Sequence, residues 1–455
     1  MRQRVKEQDR FERRNNFKPV EENLTPEQVK LEANRCLTCK NPRCVKGCPV
    51  NIQIPDFIKA LKEDNLELAG EIIRQTSMLP SVCGRVCPQE RQCEGNCVLG
   101  IKGEAIAIGA LERYVGDNTQ AKENEIKPSG KKVAIVGSGC AGITAASDLR
   151  KEGHDVTIFE ALHEFGGVLR YGIPPFRLPR NVLDRELENL KKMGVKFEKN
   201  VIVGKSITLK QLKEDGFDAI FICSGAGLPK MMNIVGENLN GVFSANEFLT
   251  RVNLMKANEE NTATPLKIGK AVAVIGGGNV AMDAARTAVR VGFKDVYIVY
   301  RRTESELPAR LEEIRHAKEE GVKFVFLQAP QEILENEGYV AGMKFEIMEL
   351  GEPDESGRRS PVGTGEYTIL NVDTVIVALG TGPNPIIQKS ALMDGIEFET
   401  DKRGYFVVDE ITRETSIPTV YAGGDVAPVG ASNAINAMGA GKKAAKAINE
   451  FLANL

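Results

Sequence analysis

Histidines, long apolar segments and excess charge are all scarce in this chain of 455 residues. It has only three histidines, His154, His163 and His316, and none lies near another, which disfavours a histidine metal site or a catalytic triad. No apolar stretch approaches the roughly 18 residues that a membrane span needs, and no apolar signal segment is present. A net charge of −2 gives no general attraction to nucleic acid. We therefore expect a cytoplasmic protein with no membrane span and no nucleic-acid partner.

Cysteine, by contrast, is concentrated near the amino end. Eight of the ten cysteines form two runs, Cys36-x2-Cys39-x4-Cys44-x3-Cys48-Pro49 and Cys83-x3-Cys87-Pro88-x4-Cys93-x3-Cys97. Thiolates at such short spacings hold iron–sulfur clusters, and the cysteine before proline can ligate a second cluster. Disulfides are disfavoured in a long chain without a signal segment, and zinc sites usually consist of two CxxC pairs separated by a longer loop. The pattern predicts an electron-transfer module, whereas Cys140 and Cys223 are interpreted as small buried residues.

Two similar units follow a polar linker at about 116–130. In the first, the apolar strand 133–136 leads into Gly137-x-Gly139-x-x-Gly142, and the next strand ends at Glu160. The glycines allow pyrophosphate to approach a helix N-terminus, and the acid can accept a hydrogen bond from a ribose hydroxyl. Strand, helix and acid together predict a dinucleotide site, against the alternative that the glycines serve only helix–strand packing.

In the second unit, strand 271–275 leads into Gly276-x-Gly278-x-x-Ala281, and the next strand ends at Tyr300-Arg301-Arg302. Arginines can bind a 2′-phosphate that a carboxylate would repel, so NADP(H) is favoured over NAD(H). The alternative is that both arginines are merely exposed at a strand end.

Two apolar strings, 219–225 and 375–380, each predict a strand that closes on a small residue and a glycine, and both fit a flavin–nicotinamide pair. A strand near the carboxyl end closes on Gly423-Gly424-Asp425, followed by a small-residue helix at about 431–452, and the acid could bind a ribityl chain while the helix N-terminus stabilises a reduced flavin. Alone, the Gly-Gly-Asp string is as often a plain turn. Near the nucleotide motifs the sequence has no CxxC, which disfavours a dithiol reductase of the thioredoxin-reductase type.

These residues resemble a known family, the small subunit of NADPH-dependent glutamate synthase. Its relatives include the NADPH-side subunit of electron-bifurcating ferredoxin:NADP transhydrogenases and the N-terminal half of dihydropyrimidine dehydrogenase. The resemblance covers nearly the whole chain and is carried by the cysteine runs and by the motifs Gly84-Arg85-Val86-Cys87-Pro88, Gly166-Gly167-Val168-Leu169, Phe176-Arg177-Leu178-Pro179, Gly276-Gly277-Gly278-Asn279-Val280-Ala281-Met282-Asp283 and Ala422-Gly423-Gly424-Asp425.

The resemblance implies an α/β protein in which a helical two-cluster iron–sulfur domain precedes two Rossmann-like domains. The expected boundaries are an iron–sulfur domain over 1–127, an FAD-binding domain over 128–230 and 375–455, and an NADPH-binding domain over 231–374. One 4Fe-4S cluster would be held by Cys36, Cys39, Cys44 and Cys97, and the other by Cys48, Cys87, Cys93 and Glu112. The simpler count of eight cysteines would instead give Cys83 the last ligand position. The alternative for Glu112 is an exposed helix residue.

The resemblance also implies the nucleotide contacts. Those to FAD are expected at Gly137, Gly139, Cys140, Ala141, Gly142, Glu160, Gly167, Val168, Arg177, Gly424, Asp425, Asn433 and Ala434. Those to NADPH are expected at Gly276, Gly277, Gly278, Asn279, Val280, Arg301, Arg302 and Gly380. No catalytic side chain is expected, because hydride and electron transfer need little acid–base chemistry.

The expected function is to pass electrons from NADPH through FAD and the Glu112-side cluster to a partner subunit, most simply the large subunit of glutamate synthase. The first alternative is the NADPH-side subunit of a bifurcating NADH-dependent ferredoxin:NADP oxidoreductase, whose partners would be a small 2Fe-2S flavoprotein and ferredoxin. The second is a non-catalytic assembly subunit that uses its clusters as a scaffold. The identity of a co-purified partner would distinguish the first two.

Overall fold

The computed structural model describes residues 1–122, 125–353, 357, 359–428 and 432–455. An all-helical segment comes first. Its helices are α1 (Arg10–Arg13), α2 (Pro26–Asn34), α3 (Arg43–Lys46), α4 (Ile54–Lys62), α5 (Leu66–Arg74), α6 (Pro80–Val86) and α7 (Ile108–Asn118). Helices α4 and α5 are separate because Asp64 adopts a positive φ and Asn65 caps the start of α5.

The first parallel sheet follows. Its elements, together with the segment that leaves it, are β1 (Lys132–Val136), α8 (Cys140–Lys151), β2 (Asp155–Glu160), α9 (Val168–Tyr171), α10 (Arg180–Lys192), β3 (Lys196–Lys199), α11 (Leu209–Glu214), β4 (Ala219–Ile222) and β5 (Leu228–Pro229). The chain returns to this sheet at its end through α15 (Ile386–Met393), β15 (Val420–Ala422) and α16 (Ala434–Leu452). The strand order is β15-β4-β1-β2-β3, with every pair parallel. The predicted helix start at about residue 431 lies outside the described residues.

The second parallel sheet is inserted between these two halves. Its elements are β6 (Val242–Ser244), α12 (Ala245–Asn253), β7 (Ala271–Ile275), α13 (Asn279–Val291), β8 (Asp295–Tyr300), α14 (Leu311–Glu319) and β9 (Lys323–Phe326), followed by β10 (Gln328–Asn336), β11 (Tyr339–Pro353), β12 (Arg359–Leu370), β13 (Thr374–Val377) and β14 (Thr381–Gly382). The order β6-β13-β7-β8-β9 is again parallel, and β10-β11-β12 form an antiparallel sheet of their own.

Strand β13 bears on the predicted domain boundary at residue 375. That boundary falls inside the strand, which pairs with β7 of the second sheet through Val375 opposite Ala273. We therefore place β13 in the second unit, and the short antiparallel pair of β5 and β14 joins the two units.

The helical segment and the first sheet share one hydrophobic core. Buried side chains of α4, α6 and α7 lie in the same cluster as Ile143 of α8 and Met438 of α16. Within the described ranges, no helix combines the length and apolar character that crossing a bilayer requires. The shared core fixes the cysteine loops against the first nucleotide unit.

Candidate functional site

Four cysteines line one cavity at the surface of the helical segment. Cys36 and Cys39 lie in the loop after α2, Cys44 is in α3, and Cys97 precedes a short 3₁₀ turn, yet all four border the same cavity. Burial raises the pKa of the Cys44 thiol to about 11. All four cysteines are partly exposed. This is the arrangement expected of a cluster close to solvent.

The other predicted cluster ligands lie deeper. Cys48, Cys87 and Cys93 are 8%, 6% and 8% exposed. Burial raises the thiol pKa of Cys48 and Cys93, and the carboxylate of Glu112 raises both further. Glu112 is therefore within electrostatic reach of these sulfurs, although α7 is distant from them in sequence.

Glycines bring Glu112 to this position. A Cβ on Gly84 of α6 would lie 2.6 Å from the backbone nitrogen of Arg113, and one on Gly116 of α7 would lie 2.6 Å from the backbone nitrogen of Ser81. Helices α6 and α7 can pack this closely only because both positions lack a side chain. The close packing brings Glu112 within electrostatic range of Cys87.

Glu112 is buried rather than exposed. It is 5% exposed, and burial raises its pKa to about 8. Among the residues that the structure describes, no hydrogen-bond partner reaches its Oε1 atom. Because an unsatisfied buried carboxyl is costly, the arrangement of this group among thiols fits a metal cluster.

Cys83 is also close to these residues. Its Sγ lies 3.5 Å from Sδ of Met438 in α16, and its hydrogen bond to Cys87, together with burial, raises the pKa of the Cys87 thiol. Cys83 therefore already packs between a predicted ligand and the carboxyl-terminal helix.

The first glycine loop forms a cradle at the start of α8. Gly137 has a φ of +114° and a Cβ there would meet the carbonyl oxygen of Cys223, while a Cβ on Gly142 would lie 2.0 Å from the carbonyl oxygen of Gly137. Around a Cβ on Gly139, by contrast, no atom of the described chain comes within 4 Å. Of these three glycines, Gly139 alone faces open space within the described chain, and it lies at the helix N-terminus, where a pyrophosphate would bind.

The acid of the first unit is held by that loop. Oε2 of Glu160 accepts hydrogen bonds from the hydroxyl and the backbone nitrogen of Ser138, the latter at 3.1 Å, and Oε1 accepts from the backbone nitrogen of Leu162 at 2.9 Å. The Ser138 hydroxyl also accepts from Gly166 at 2.8 Å. Ser138 was not among the predicted residues, although a hydroxyl inside the glycine motif is a signal that could have found it.

The remaining predicted flavin residues mostly converge here. A Cβ on Gly167 would lie 3.0 Å from Cα of Gly139, and one on Gly424 would lie 3.2 Å from Cβ of Ala141. Cys140 is buried at the first turn of α8, and Val168 is 41% exposed beside the loop. Asn433 caps α16 by accepting from the backbone nitrogen of Asn436 at 3.0 Å, which places Ala434 at the first helical position.

Asp425 lines a cavity between α16 and the helical segment. Burial raises the pKa of its carboxyl group, and a hydrogen bond from Ser432 opposes this. The same cavity is lined by Pro49, which directly follows Cys48. The predicted flavin acid and the residue next to a predicted cluster ligand therefore line one cavity.

Arg177 is the exception among the predicted flavin residues. Its Nη1 atom lies 2.6 Å from Oδ2 of Asp283, and its Nε atom lies 3.0 Å from Oε1 of Glu313. Both acids belong to the second unit, in α13 and α14. The guanidinium group is thus occupied by carboxylates, and we correct its assignment from an FAD contact to a bridge between the two units.

The second glycine loop repeats the geometry of the first. A Cβ on Gly276 would lie 2.5 Å from the carbonyl oxygen of Ala378, and one on Gly277 would meet the Tyr300 ring at 2.8 Å. Around a Cβ on Gly278, the described part of the chain leaves more than 4 Å of open space, and the same holds at Gly380. Val280, on the first turn of α13, is 43% exposed toward solvent.

The two arginines after β8 differ. Arg301 is exposed, whereas Arg302 is 8% exposed and its Nε atom donates to the carbonyl oxygen of Arg359 in β12 at 2.8 Å. The alternative that both are merely exposed is therefore wrong for Arg302. Asn279 accepts at Oδ1 from the backbone nitrogen of Arg310 at 2.9 Å, a contact that sequence spacing does not reveal.

Two family models match the chain in series. Residues 13–124 match "dihydropyrimidine dehydrogenase domain II, 4Fe-4S cluster", and residues 131–441 match "pyridine nucleotide-disulphide oxidoreductase". The chain is also 37% identical over 451 residues to the glutamate synthase [NADPH] small chain of Escherichia coli K12, covering 96% of this chain and 94% of the relative. This chain belongs to the family of glutamate synthase small chains.

Other members and neighbours bear different names. The chain is 39% identical over 438 residues to the NADP(+)-dependent formate dehydrogenase subunit beta of Moorella thermoacetica, covering 90% of this chain but only 60% of that relative. Among solved structures, Mycobacterium tuberculosis FprA in complex with NADPH has a TM-score of 0.58 at 22% identity, covering 72% of this chain and 85% of FprA. The latter likeness shows the fold alone.

Membership in the glutamate synthase small-chain family confirms the predicted class. The protein is an NADPH-dependent oxidoreductase with an iron–sulfur domain followed by two Rossmann-like units, and a 4Fe-4S cluster, FAD and NADPH are the groups that these domains bind. The hypothesis of a non-catalytic assembly subunit is therefore not supported.

Proposed function

We propose that this protein is the NADPH-oxidising small subunit of a glutamate synthase, and that it carries FAD and two 4Fe-4S clusters. The single observation that supports this best is the cavity shared by Pro49 and Asp425, because it joins the loop that carries Cys48 to the proposed flavin site. A Cβ on Gly439 of α16 would lie only 3.4 Å from the carbonyl oxygen of Pro49. Helix α16 therefore packs closely against the cysteine loop at this glycine.

The residues of the two loops bind and orient the nucleotides. The open side of Gly139 receives one pyrophosphate, and Glu160, held by Ser138, accepts from the ribose. The open side of Gly278 receives the pyrophosphate of NADPH. Arg301 binds the 2′-phosphate, and Arg302 supports this strand end through its hydrogen bond to Arg359. FAD, when bound, exchanges an electron pair with NADPH and single electrons with iron–sulfur clusters.

The ligand sets follow burial. We assign Cys36, Cys39, Cys44 and Cys97 to an outer cluster and Cys48, Cys87, Cys93 and Glu112 to an inner one. Cys83 stays a packed thiol in this assignment, because the unsatisfied Oε1 atom of Glu112 supplies the missing ligand. The inner set is buried and reaches the flavin cavity through Pro49, whereas the outer set is partly exposed, so the two sets would form a path from the nucleotide units to the protein surface.

The surface at the outer set indicates what kind of partner docks there. Leu37, Val98 and Ile101 are 58%, 38% and 65% exposed beside the ligand cysteines. Residues 37–47 and 98–103 contain no acid and four bases, Lys40, Arg43, Lys46 and Lys102. An apolar centre with a basic rim favours an acidic redox partner. We call these seven side chains the outer docking surface.

A second candidate function is favoured by the formate dehydrogenase relative, which is no less similar to this chain than the glutamate synthase subunit is. In that case the outer docking surface would bind a different oxidoreductase subunit. The partner subunits of a bifurcating transhydrogenase could bind to the same surface.

Purification from the native host without oxygen, followed by identification of the partner, tests the proposal. A large amidotransferase-type subunit supports it; a small 2Fe-2S flavoprotein or a dehydrogenase subunit overturns it in favour of the corresponding alternative.

A further inference from the structure

Arg310 connects the second glycine loop with the inner cysteine loop. Its backbone nitrogen, immediately before α14, donates to Oδ1 of Asn279 at 2.9 Å. Asn279 is the first residue of α13 and follows Gly278, where we place the pyrophosphate of NADPH. The backbone of Arg310 thus belongs to the nucleotide site.

Its side chain belongs to the other site. Nη1 of Arg310 donates to the carbonyl oxygen of Arg85 at 3.0 Å, and Nη2 donates to Oε1 of Gln89 at 2.7 Å. These two acceptors lie on either side of Cys87. Arg310 is 8% exposed, so water competes little for these hydrogen bonds.

Gln89 extends the contact. Its Nε2 atom donates to the carbonyl oxygens of Cys83 at 3.2 Å and Gly84 at 3.1 Å, and it fills the space that a Cβ on Gly109 of α7 would need. The side chain held by Arg310 therefore braces α6 and α7, which carry Cys83 and Glu112. A displacement of Arg310 would therefore pass through Gln89 to the helices that carry Cys83 and Glu112.

We propose that Arg310 is a positioning residue that couples nucleotide binding at Asn279 to the geometry of the inner cluster loop. The proposal rests on the proposed function for the location of NADPH and of the inner cluster. Coupling of this kind is reciprocal. The factor by which nucleotide binding changes the reduction equilibrium of the cluster equals the factor by which reduction of the cluster changes the nucleotide affinity.

Arg91 provides a matched control. It joins the same two segments, donating from Nη1 to the carbonyl oxygen of Pro308 at 3.0 Å and from Nη2 to that of Ala309 at 3.3 Å. Its side chain is exposed and its contacts include neither Asn279 nor Gln89 within the described ranges. Arg91→Lys therefore weakens the hydrogen bonds to Pro308 and Ala309 and leaves those of Arg310 to Arg85 and Gln89 in place.

The experiment uses the anaerobically purified holoprotein and 2′-phospho-ADP-ribose, which fills the nucleotide loop but carries no nicotinamide and accepts no electrons. The electron paramagnetic resonance spectrum and midpoint potential of the inner cluster are measured with and without this probe. In the wild type we expect the probe to change the spectrum, and its Kd to differ about tenfold between the two oxidation states, which equals a shift of about 59 mV for a one-electron couple.

Arg310→Lys keeps the charge but cannot hold both acceptors, and we expect the difference in Kd to fall below about twofold, whereas Arg91→Lys retains it. Gln89→Ala removes the side-chain acceptor of Arg310 and should reduce the difference in Kd as Arg310→Lys does. The second variant keeps the test valid if one of the two fails to fold. An unchanged spectrum in a wild type that binds the probe and contains its iron would overturn the proposal, as would full coupling in Arg310→Lys. Absence of iron or of probe binding in the wild type would instead contradict the proposed function.

Discussion

Arg286 and Glu320 form a bidentate salt bridge in the interior of the second unit, with Nε 3.0 Å from Oε2 and Nη2 2.8 Å from Oε1. Both side chains are fully buried. Glu320 also accepts from Arg290 at 2.6 Å and from Arg13 of the amino-terminal segment at 3.1 Å. One carboxylate therefore connects the start of the chain to α13, the helix that begins at the second glycine loop.

This network predicts a pH dependence of stability. Burial opposes ionisation of Glu320, but Arg286 and Arg290 outweigh it and lower the pKa to about 2. Since the pKa in the unfolded chain is about 4.3, the stabilisation is present above that pH and is lost as the pH falls toward 2. We expect Glu320→Gln to cost about 3 kcal/mol at pH 6 and progressively less in acid.

Thermal unfolding followed by circular dichroism from pH 6 to pH 3 measures the stability difference between the wild type and the variant. Both are measured side by side, because loss of clusters in acid affects both proteins. Glu450→Gln, at an exposed pair with Lys446, is the control and should leave the profile unchanged. A difference between wild type and Glu320→Gln that does not vary with pH would contradict the prediction.

The first glycine loop predicts opposite outcomes for two similar substitutions. Gly139→Ala places a methyl group in the open space of the loop, so we expect a folded protein with its iron intact and FAD content reduced by at least about tenfold. Gly142→Ala would put Cβ 2.0 Å from the carbonyl oxygen of Gly137, so we expect misfolding. Flavin and iron analysis of both variants checks this; full FAD content in Gly139→Ala would be inconsistent with the assigned site.

The inner cluster predicts different effects for its two candidate fourth ligands. Glu112→Ala should lose about four irons per chain, because one cluster needs all its ligands, whereas Cys83→Ala should keep them. Iron and acid-labile sulfide measured after anaerobic purification distinguish the two. The opposite result would move the ligand assignment to Cys83.

The arginines after β8 are expected to separate affinity from stability. Arg301→Ala removes an exposed charge and should raise KM for NADPH about 10- to 100-fold, the range for one or two charge-assisted hydrogen bonds, with little change for NADH or in Tm. Arg302→Ala should lower Tm as well, because its Nε atom is bonded to Arg359. Equal losses with NADPH and NADH in Arg301→Ala would count against a 2′-phosphate contact.

The outer docking surface predicts an ionic-strength effect on electron delivery. Reversing Lys40 and Lys102 to Glu should slow reduction of an acidic acceptor about tenfold or more at low salt, and added salt should narrow the difference. NADPH-dependent reduction of a small uncharged quinone is the control, because its rate should not depend on these charges. If the variant and the wild type reduce the acidic protein equally fast, the acceptor does not dock on this surface.

Much of this architecture follows from local patterns. Both glycine loops, the strands around them and the cysteine runs were predictable because their backbone conformations depend on neighbouring residues, as with the positive φ of Gly137 and Gly276. The inner position of Glu112 was implied only by family resemblance, and its burial depends on glycines in two different helices.

What the sequence did not reveal depends on contacts between distant segments. Arg177 was assigned to FAD, but acids on α13 and α14, more than 100 residues away, bind its guanidinium group. Strand β13 was placed with the carboxyl-terminal part because an apolar strand carries no mark of the sheet that it joins. The connection through Arg310 likewise depends on the docking of the second unit against the helical segment.

The most direct test of the account is an anaerobic titration of the purified protein with NADPH, followed by visible absorption and electron paramagnetic resonance, with iron, sulfide and flavin measured on the same sample. We expect bleaching of the flavin together with the signal of a reduced 4Fe-4S cluster, and about eight irons per chain. Zinc in place of iron, or a flavin that NADPH reduces while every cluster stays oxidised even in the presence of excess reductant, would contradict it.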